Sequence, residues 1–323
     1  MMTSREIVKK TVLFQNPPRI AHSLPEPWQN DFCGTGPAPD PDFAPSKPGE
    51  DEWGCVWEKL GDEDLSMGQV KSQSLSDYSK LESYPFPNYR NPRRSDEPRR
   101  QAKNNPEEKF FLAGIPLALN HRTDYLRGFE NLMMDPYLYP VEFARLLDIQ
   151  AEIAVDAVER LAECGADGII SCDDWGLQDR VMMSPEIFRK FFKPRYERVY
   201  RRALELGMLT FLHSCGHIVE ILDDFIDAGL QVIQMDQQEN MGMDLLAERF
   251  GGRLCFWCPV DIQATMINGS LDEVRTYARQ LVETLGRFQG GFISKWYPSP
   301  QAVHHTRERI EAMAEAFTEA EAI

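Results

Sequence analysis

The 323-residue sequence has no apolar run long enough to span a membrane and no hydrophobic block near its N-terminus. It is also poor in positive charge, because 51 acidic side chains against 35 basic ones leave a formal net charge of -16. This balance argues against non-specific binding to nucleic acid and against adhesion to an anionic membrane surface. We therefore expect a cytoplasmic protein that binds neither nucleic acid nor membrane.

Cysteine is sparse, and the cysteines do not have the spacing of a disulfide framework. The seven cysteines are odd in number, scattered, and partly placed inside apolar runs, which fits a reducing compartment better than a set of disulfides. The sequence also lacks a Gly-x-Gly-x-x-Gly motif at a first strand-to-helix turn. The sequence therefore gives no motif that would support an open nucleotide-binding sheet.

The chain has two parts of different texture, which we expect to form one domain over residues 1–323. Residues 1–107 are rich in Pro, Gly, Asp and Asn, so we expect an irregular region with an opening helix at 3–14 and one or two strands before residue 60. Residues 108–323 alternate short apolar runs with amphipathic segments, a pattern typical of parallel β/α proteins.

The regular part predicts six strands and six helices. The strands are expected at 110–119, 168–172, 208–213, 232–235, 254–258 and 291–296. The helices are expected at 140–163, 185–206, 217–228, 242–250, 271–286 and 300–320. With the early strands these would close a distorted α/β barrel, the (β/α)8 TIM type, and an open doubly wound sheet is the main alternative.

A histidine and a cysteine end the predicted strand at 208–213. Residues two apart on a strand face the same side, so His213 and Cys215 would project together. An imidazole nitrogen and a thiolate are ligands that Zn²⁺ favours. The pair is half of a zinc site, although such a pair also arises by chance and a buried cysteine is often a small core residue.

Cys258 ends another predicted strand and is our candidate for the third zinc ligand. Three protein ligands with an open fourth position are typical of catalytic rather than structural zinc. The alternative is that Cys258 is a buried core cysteine beside Cys255.

Other polar and aromatic residues cluster at the ends of the predicted strands, where parallel barrels carry their active sites. Asp173 and Asp174 should face opposite ways, and we choose Asp174 as the catalytic carboxylate, acting as general base or as a partner of His213. A capping role is the alternative for either aspartate. The candidate substrate-binding residues, some of which are core residues in the alternative interpretation, are Trp175, Asp236, Gln237, Trp296 and Tyr297.

Three segments together resemble the uroporphyrinogen decarboxylase-like superfamily. They are residues 165–176 (GADGIISCDDWG), 183–196 (MSPEIFRKFFKPRY) and 211–218 (FLHSCGHI). The likeness extends over roughly residues 1–320 and is strongest at 160–265. It implies a distorted (β/α)8 barrel, in agreement with the predicted strands.

The superfamily has two branches that matter for function. True decarboxylases carry an Arg-Gln-Ala-Gly-Arg motif near the N-terminus, which this sequence lacks there. The cobalamin-dependent methyltransferases bind zinc through His-x-Cys, matched here by His213 and Cys215, and through a later cysteine on the last strand. Residues 293–297 (ISKWY) contain no cysteine, so Cys258, one strand earlier, is the candidate replacement.

The resemblance implies a zinc-dependent methyltransferase that moves a methyl group between a corrinoid protein and a small substrate: a methoxy compound, a methylamine or a thiol. The cobalamin would belong to a separate partner protein, because no Asp-x-His-x-x-Gly motif is present in this sequence. The alternatives are a metal-free decarboxylase and a non-catalytic barrel that binds a tetrapyrrole or corrinoid.

Overall fold

Eight parallel strands form the centre of the molecule. The computed structural model describes residues 2–59, 61 and 68–320. Its strands in chain order are β1 (Ala21–Ser23), β2 (Phe32–Thr35), β3 (Val56–Glu58), β4 (Gln69–Ser72), β5 (Phe110–Gly114), β6 (Gly168–Cys172), β7 (Leu209–His213), β8 (Val232–Gln234), β9 (Cys255–Cys258) and β10 (Phe292–Lys295). Eight of them form one sheet in the order β1, β10, β9, β8, β7, β6, β5, β2, while β3 and β4 make a separate antiparallel ribbon.

The sheet curves into a barrel that is nearly closed. Its two end strands, β1 and β2, are joined by a short return segment that lies against β1. The Asp31 N–H donates to the His22 carbonyl over 2.8 Å, and the His22 N–H donates to the Asp31 carboxylate over 2.8 Å. The prediction of a TIM-type α/β barrel is confirmed, and the open doubly wound sheet is excluded.

Helices alternate with the barrel strands. They are α1 (Ser4–Val12), α2 (Asp96–Lys103), α3 (Leu119–Arg127), α4 (Phe129–Leu138), α5 (Pro140–Glu163), α6 (Pro185–Ile187), α7 (Lys193–Glu205), α8 (Val219–Asp227), α9 (Met243–Phe250), α10 (Thr265–Asn268), α11 (Leu271–Leu285) and α12 (Arg307–Glu319). Short helical turns lie at Tyr78–Ser83, Pro92–Ser95, Phe188–Phe192 and Gln238–Asn240. Across the described ranges, no helix combines the length and apolar character needed to cross a membrane.

The inside of the barrel is filled with aromatic side chains and closed at one end. Phe32 stacks on Trp257 with ring centroids 5.1 Å apart, and Phe110 lies 5.7 Å from Phe211. Helix α1 begins with a capping box at Thr3 and packs its apolar face into the same cluster. The opposite end of the barrel, where the strands have their carboxyl termini, carries the polar residues.

The segment after β5 differs from the prediction. A strand was expected over 110–119, but β5 ends at Gly114 and α3 begins at Leu119. Pro116 has no N–H to donate to a neighbouring strand, so pairing stops before it. Helices α3 and α4, which follow this strand, were not predicted.

Removal of an interior ring should destabilise the barrel. We expect Phe211→Ala to lower the free energy of unfolding by about 3–5 kcal/mol, because Phe211 is fully buried among other rings. The matched control is Phe129→Ala, since Phe129 is 55% exposed and should change stability by less than about 0.5 kcal/mol. Urea unfolding followed by tryptophan fluorescence measures both, and equal effects would contradict this description of the core.

Candidate active site

Two loops cross at the carboxyl ends of β6 and β7. The Gly176 N–H donates to the Cys215 carbonyl over 3.1 Å, and the His217 N–H donates to the Leu177 carbonyl over 2.8 Å. A Cβ atom on Gly176 would lie 2.3 Å from the Gly216 backbone, and one on Gly216 would lie 2.3 Å from the Gly176 carbonyl oxygen. Only glycine permits this approach, which brings the residues on either side of the crossing together.

Asp174, His213 and Cys215 form a group of three potential metal donors beside this crossing. The His213 Nε2 lies 3.4 Å from the Cys215 Sγ and 3.6 Å from the Asp174 Oδ1. Each residue offers one donor atom, and these three atoms lie within 4.8 Å of one another. The Cys215 N–H also donates to Asp174 Oδ1 over 2.7 Å, which holds the carboxylate against the loop after β7.

Neighbouring residues hold the imidazole of His213 in place. Its Nδ1 is hydrogen-bonded to the Gln234 side-chain oxygen, so its Nε2 is directed at Cys215 and Asp174. The Gln234 amide donates to Asp236 over 2.8 Å, and Asp236 forms an ion pair with Lys295. All of these residues lie on or directly after β7, β8 and β10.

The electrostatic environment of the group is negative. Burial, followed by the carboxylates of Asp174 and Asp236, raises the pKa of the Cys215 thiol well above its ordinary value. One nitrogen, one sulfur and one carboxylate oxygen are a donor set that Zn²⁺ accepts, and nearby carboxylates favour a cation. The residues present could therefore hold a metal ion, and their chemistry fits zinc.

Asp173 turns away from its neighbour Asp174 and caps a helix. It is fully buried, and it accepts hydrogen bonds from the backbone N–H groups of Asn120 and His121, each over 2.9 Å. The Tyr196 hydroxyl also donates to it. A carboxylate at the first turn of α3 satisfies N–H groups that have no partner within the helix.

This cap brings His121 to the site, and the sequence did not identify that residue. Its Nε2 lies 3.6 Å from the second oxygen of Asp174, and its ring stacks on Tyr125 with centroids 5.8 Å apart. No local motif marks His121, because it comes from a helix that the apolar pattern did not predict. The available signal was its position just after a barrel strand.

Cys258 and Trp175 lie apart from the donor group. Cys258 is fully buried in the apolar layer that packs the strands against the outer helices, whereas Trp257 faces the barrel interior. Side chains alternate along a strand, so Cys258 and His213 are on opposite faces of the sheet. Trp175 is 1% exposed and packs against rings of Phe188, Phe192 and Tyr196.

The remaining predicted residues surround the group in different ways. Asp236 is buried in the ion pair with Lys295. The Gln237 side-chain oxygen accepts from the Gly216 N–H over 2.8 Å and so supports the loop after β7. Trp296 is half-buried against the outer core. Tyr297 is half-buried, and the Lys295 ammonium lies 5.4 Å from the centre of its ring.

Fold and site define a TIM-type barrel with a candidate metal centre at the carboxyl ends of its strands. The uroporphyrinogen decarboxylase (URO-D) family model matches residues 122–297, which is more than half of the chain. The chain belongs to the uroporphyrinogen decarboxylase family. The matched range includes all three potential donors and the Gln234, Asp236 and Lys295 side chains behind them.

Sequence comparison finds methyltransferases among the curated relatives of this chain. The chain is 28% identical over 142 residues to methylcobamide:CoM methyltransferase MtaA from Methanosarcina barkeri (strain Fusaro / DSM 804). This alignment covers 44% of the chain and 40% of the relative, so it spans less than half of either protein. A solved methyltransferase from Methanosarcina mazei superposes with a TM-score of 0.65 at 20% identity, covering 83% of this chain and 76% of that one, and has the same fold.

The glycine crossing should be intolerant of substitution. We expect Gly216→Ala to be more destabilising than Gly207→Ala by about 1–3 kcal/mol, because the new Cβ would be forced into the Gly176 backbone. Gly207 is a matched control with the same φ of +79° and no atom within 4 Å of its added Cβ. Thermal unfolding of the two variants measures the difference, and equal losses would mean that the crossing imposes no steric constraint.

Proposed function

We propose that this protein is a methyltransferase that moves a methyl group between a corrinoid protein and a small substrate, with zinc held by Asp174, His213 and Cys215. The observation that carries the proposal is the convergence of these three donor atoms within 4.8 Å at the carboxyl ends of the barrel strands. The relationship to methylcobamide:CoM methyltransferase MtaA supports methyl transfer as the chemistry. A thiol is the first methyl acceptor to test, with methoxy compounds and methylamines next.

The chain contributes three ligands from two strand ends. Two protein donors come from one strand end, since His213 and Cys215 are two residues apart, and the third comes from the adjacent strand end. A zinc ion bound there supplies a Lewis acid, which lowers the pKa of a coordinated thiol or polarises an oxygen. The Asp174 carboxylate replaces the second cysteine that the family resemblance implies.

His121 is our candidate for handling the proton of the substrate. Its Nε2 lies 3.6 Å from Asp174 and its Nδ1 lies 3.8 Å from Asp173, so the ring lies between two carboxylates. A neutral His121 beside an arriving thiol would accept the thiol proton at Nε2 and retain it beside Asp174.

The methyl carrier would be a separate protein. The sequence contains no Asp-x-His-x-x-Gly motif, so we assign the cobalamin to a partner that approaches the open end of the barrel. The opposite end is closed by α1, whose Ile7, Val8 and Val12 side chains pack into the interior cluster. A bulky methyl donor therefore has one face from which to reach the donor group.

Metal content tests the ligand assignment. We expect about one zinc per chain in the wild-type protein and little in Cys215→Ala, because two remaining donors hold a catalytic metal weakly. Cys258→Ala should retain the metal, since its side chain lies on the other face of the sheet. Elemental analysis after washing with a weak chelator gives both values. Stoichiometric zinc in Cys215→Ala would refute the site, and loss of zinc from a folded Cys258→Ala would restore Cys258 as the third ligand.

Turnover tests the reaction class. With methylcobalamin as methyl donor and a small thiol as acceptor, we expect His213→Ala to lower the rate by about 100-fold or more. Removing a metal ligand should lower activity more than removing a residue that only hydrogen-bonds to a ligand. The matched control is His217→Ala, since His217 bonds to Glu220 over 3.1 Å and lies outside the donor group. Demethylation of cobalamin is followed by absorbance. Release of carbon dioxide from a porphyrinogen, without methyl transfer, would instead support a decarboxylase.

A further inference from the structure

A chain of hydrogen bonds runs behind His213 across three strand ends. The Lys295 ammonium donates to Asp236, the Gln234 amide N–H donates to the same carboxylate over 2.8 Å, and the Gln234 oxygen contacts the His213 Nδ1. The four residues come from β7, β8, the loop after β8, and β10. We name this set the relay: Lys295, Asp236, Gln234 and His213.

The relay has one possible direction. A lysine ammonium only donates hydrogen bonds, and an ionised carboxylate only accepts them. Asp236 therefore requires the NH₂ end of the Gln234 amide, which leaves the amide oxygen facing His213. An oxygen at that place demands a proton on Nδ1, so in the neutral ring Nε2 keeps its lone pair.

Burial makes this order costly to reverse. The side chains of Asp236 and Lys295 are 6% and 12% exposed, and Gln234 is 5% exposed. A flipped amide would place its oxygen against the buried Asp236 carboxylate, whichever tautomer His213 adopts. Neither group can donate to the other, so the flipped oxygen would be a buried acceptor without a donor, which opposes the flip.

We propose that Lys295, Asp236 and Gln234 are positioning residues that fix His213 as the Nδ1–H tautomer, so that Nε2 of the neutral ring is available to a metal. The Nε2 atom is the one that faces the Cys215 sulfur at 3.4 Å and the Asp174 oxygen at 3.6 Å. The inference deepens the proposed function, on which its metal-binding consequence rests. A lysine on β10 thereby determines which nitrogen of a histidine on β7 binds the metal.

The tautomer is measurable in the metal-free protein. The sequence has only six histidines, so ¹⁵N-histidine labelling gives few signals, and the signal missing from His213→Gln identifies His213. At pH ~8, where an ordinary histidine is neutral, we expect protonated Nδ1 and unprotonated Nε2. In Gln234→Leu the preference should give way to a mixture of tautomers. A wild-type proton on Nε2, or an unchanged Gln234→Leu spectrum, would overturn the proposal.

Zinc affinity, measured by competition with a coloured chelator, gives the functional consequence. Gln234→Leu should bind zinc about 10–100-fold more weakly, and Gln234→Glu should recover most of the affinity because it keeps an acceptor for Nδ1. The matched control is Gln238→Leu, which removes another buried amide from the loop after β8 whose donor contacts are the Pro259 carbonyl and Tyr277. It should bind zinc as tightly as the wild type.

The two measurements separate the proposals. If the wild-type protein binds no zinc, the proposed metal function fails, while the ¹⁵N spectrum of the wild type still decides the tautomer. If zinc binds and a folded Gln234→Leu binds it with unchanged affinity, the relay has no positioning role. Should Gln234→Leu fail to fold, the wild-type tautomer and the affinity of Gln234→Glu decide the matter.

Discussion

The site depends on the parallel register of three neighbouring strands. Cys172 is paired with His213, and His213 is paired with Gln234, so side chains that contact one another lie at the same height and on the same face. A shift of one residue in either pairing would turn the imidazole away from Gln234 and from Asp174. The backbone register of the strands thus sets where the three donor residues lie. The glycine crossing after β6 and β7 then brings the loops that carry Asp174 and Cys215 together.

Negative charge is concentrated where the strands end. Asp174 and Asp236 both raise the pKa of the Cys215 thiol, and Lys295, the cation nearest to them in the relay, is already paired with Asp236. Bringing a cation into such surroundings is favourable, and it relieves repulsion between a thiolate and the carboxylates. Asp173 is directed elsewhere, because adjacent side chains on an extended segment face opposite ways, and the first turn of α3 and Tyr196 satisfy its carboxylate.

Local patterns predicted much of the barrel and part of its site. Alternation of apolar strands with amphipathic helices is a short-range signal, and so is the spacing of His213 and Cys215, because both follow from the period of the chain. The place of Cys258 shows the limit of such signals. Trp257 and Cys258 are adjacent on β9, so their side chains face opposite sides of the sheet. In the structure Trp257 faces the barrel interior and Cys258 faces the helices. Apolar character alone does not decide this.

Sequence alone therefore determined the class of fold, the face of the barrel that carries polar residues and two of the three donors, because periodicity and strand ends are properties of short segments. Only the tertiary structure decided that Asp174 lies beside His213 and Cys215, that His121 reaches the site and that hydrogen bonds connect Lys295 to His213 through Asp236 and Gln234. These contacts join residues from different strands and loops. Their distances are set by how the sheet closes, which no short segment encodes.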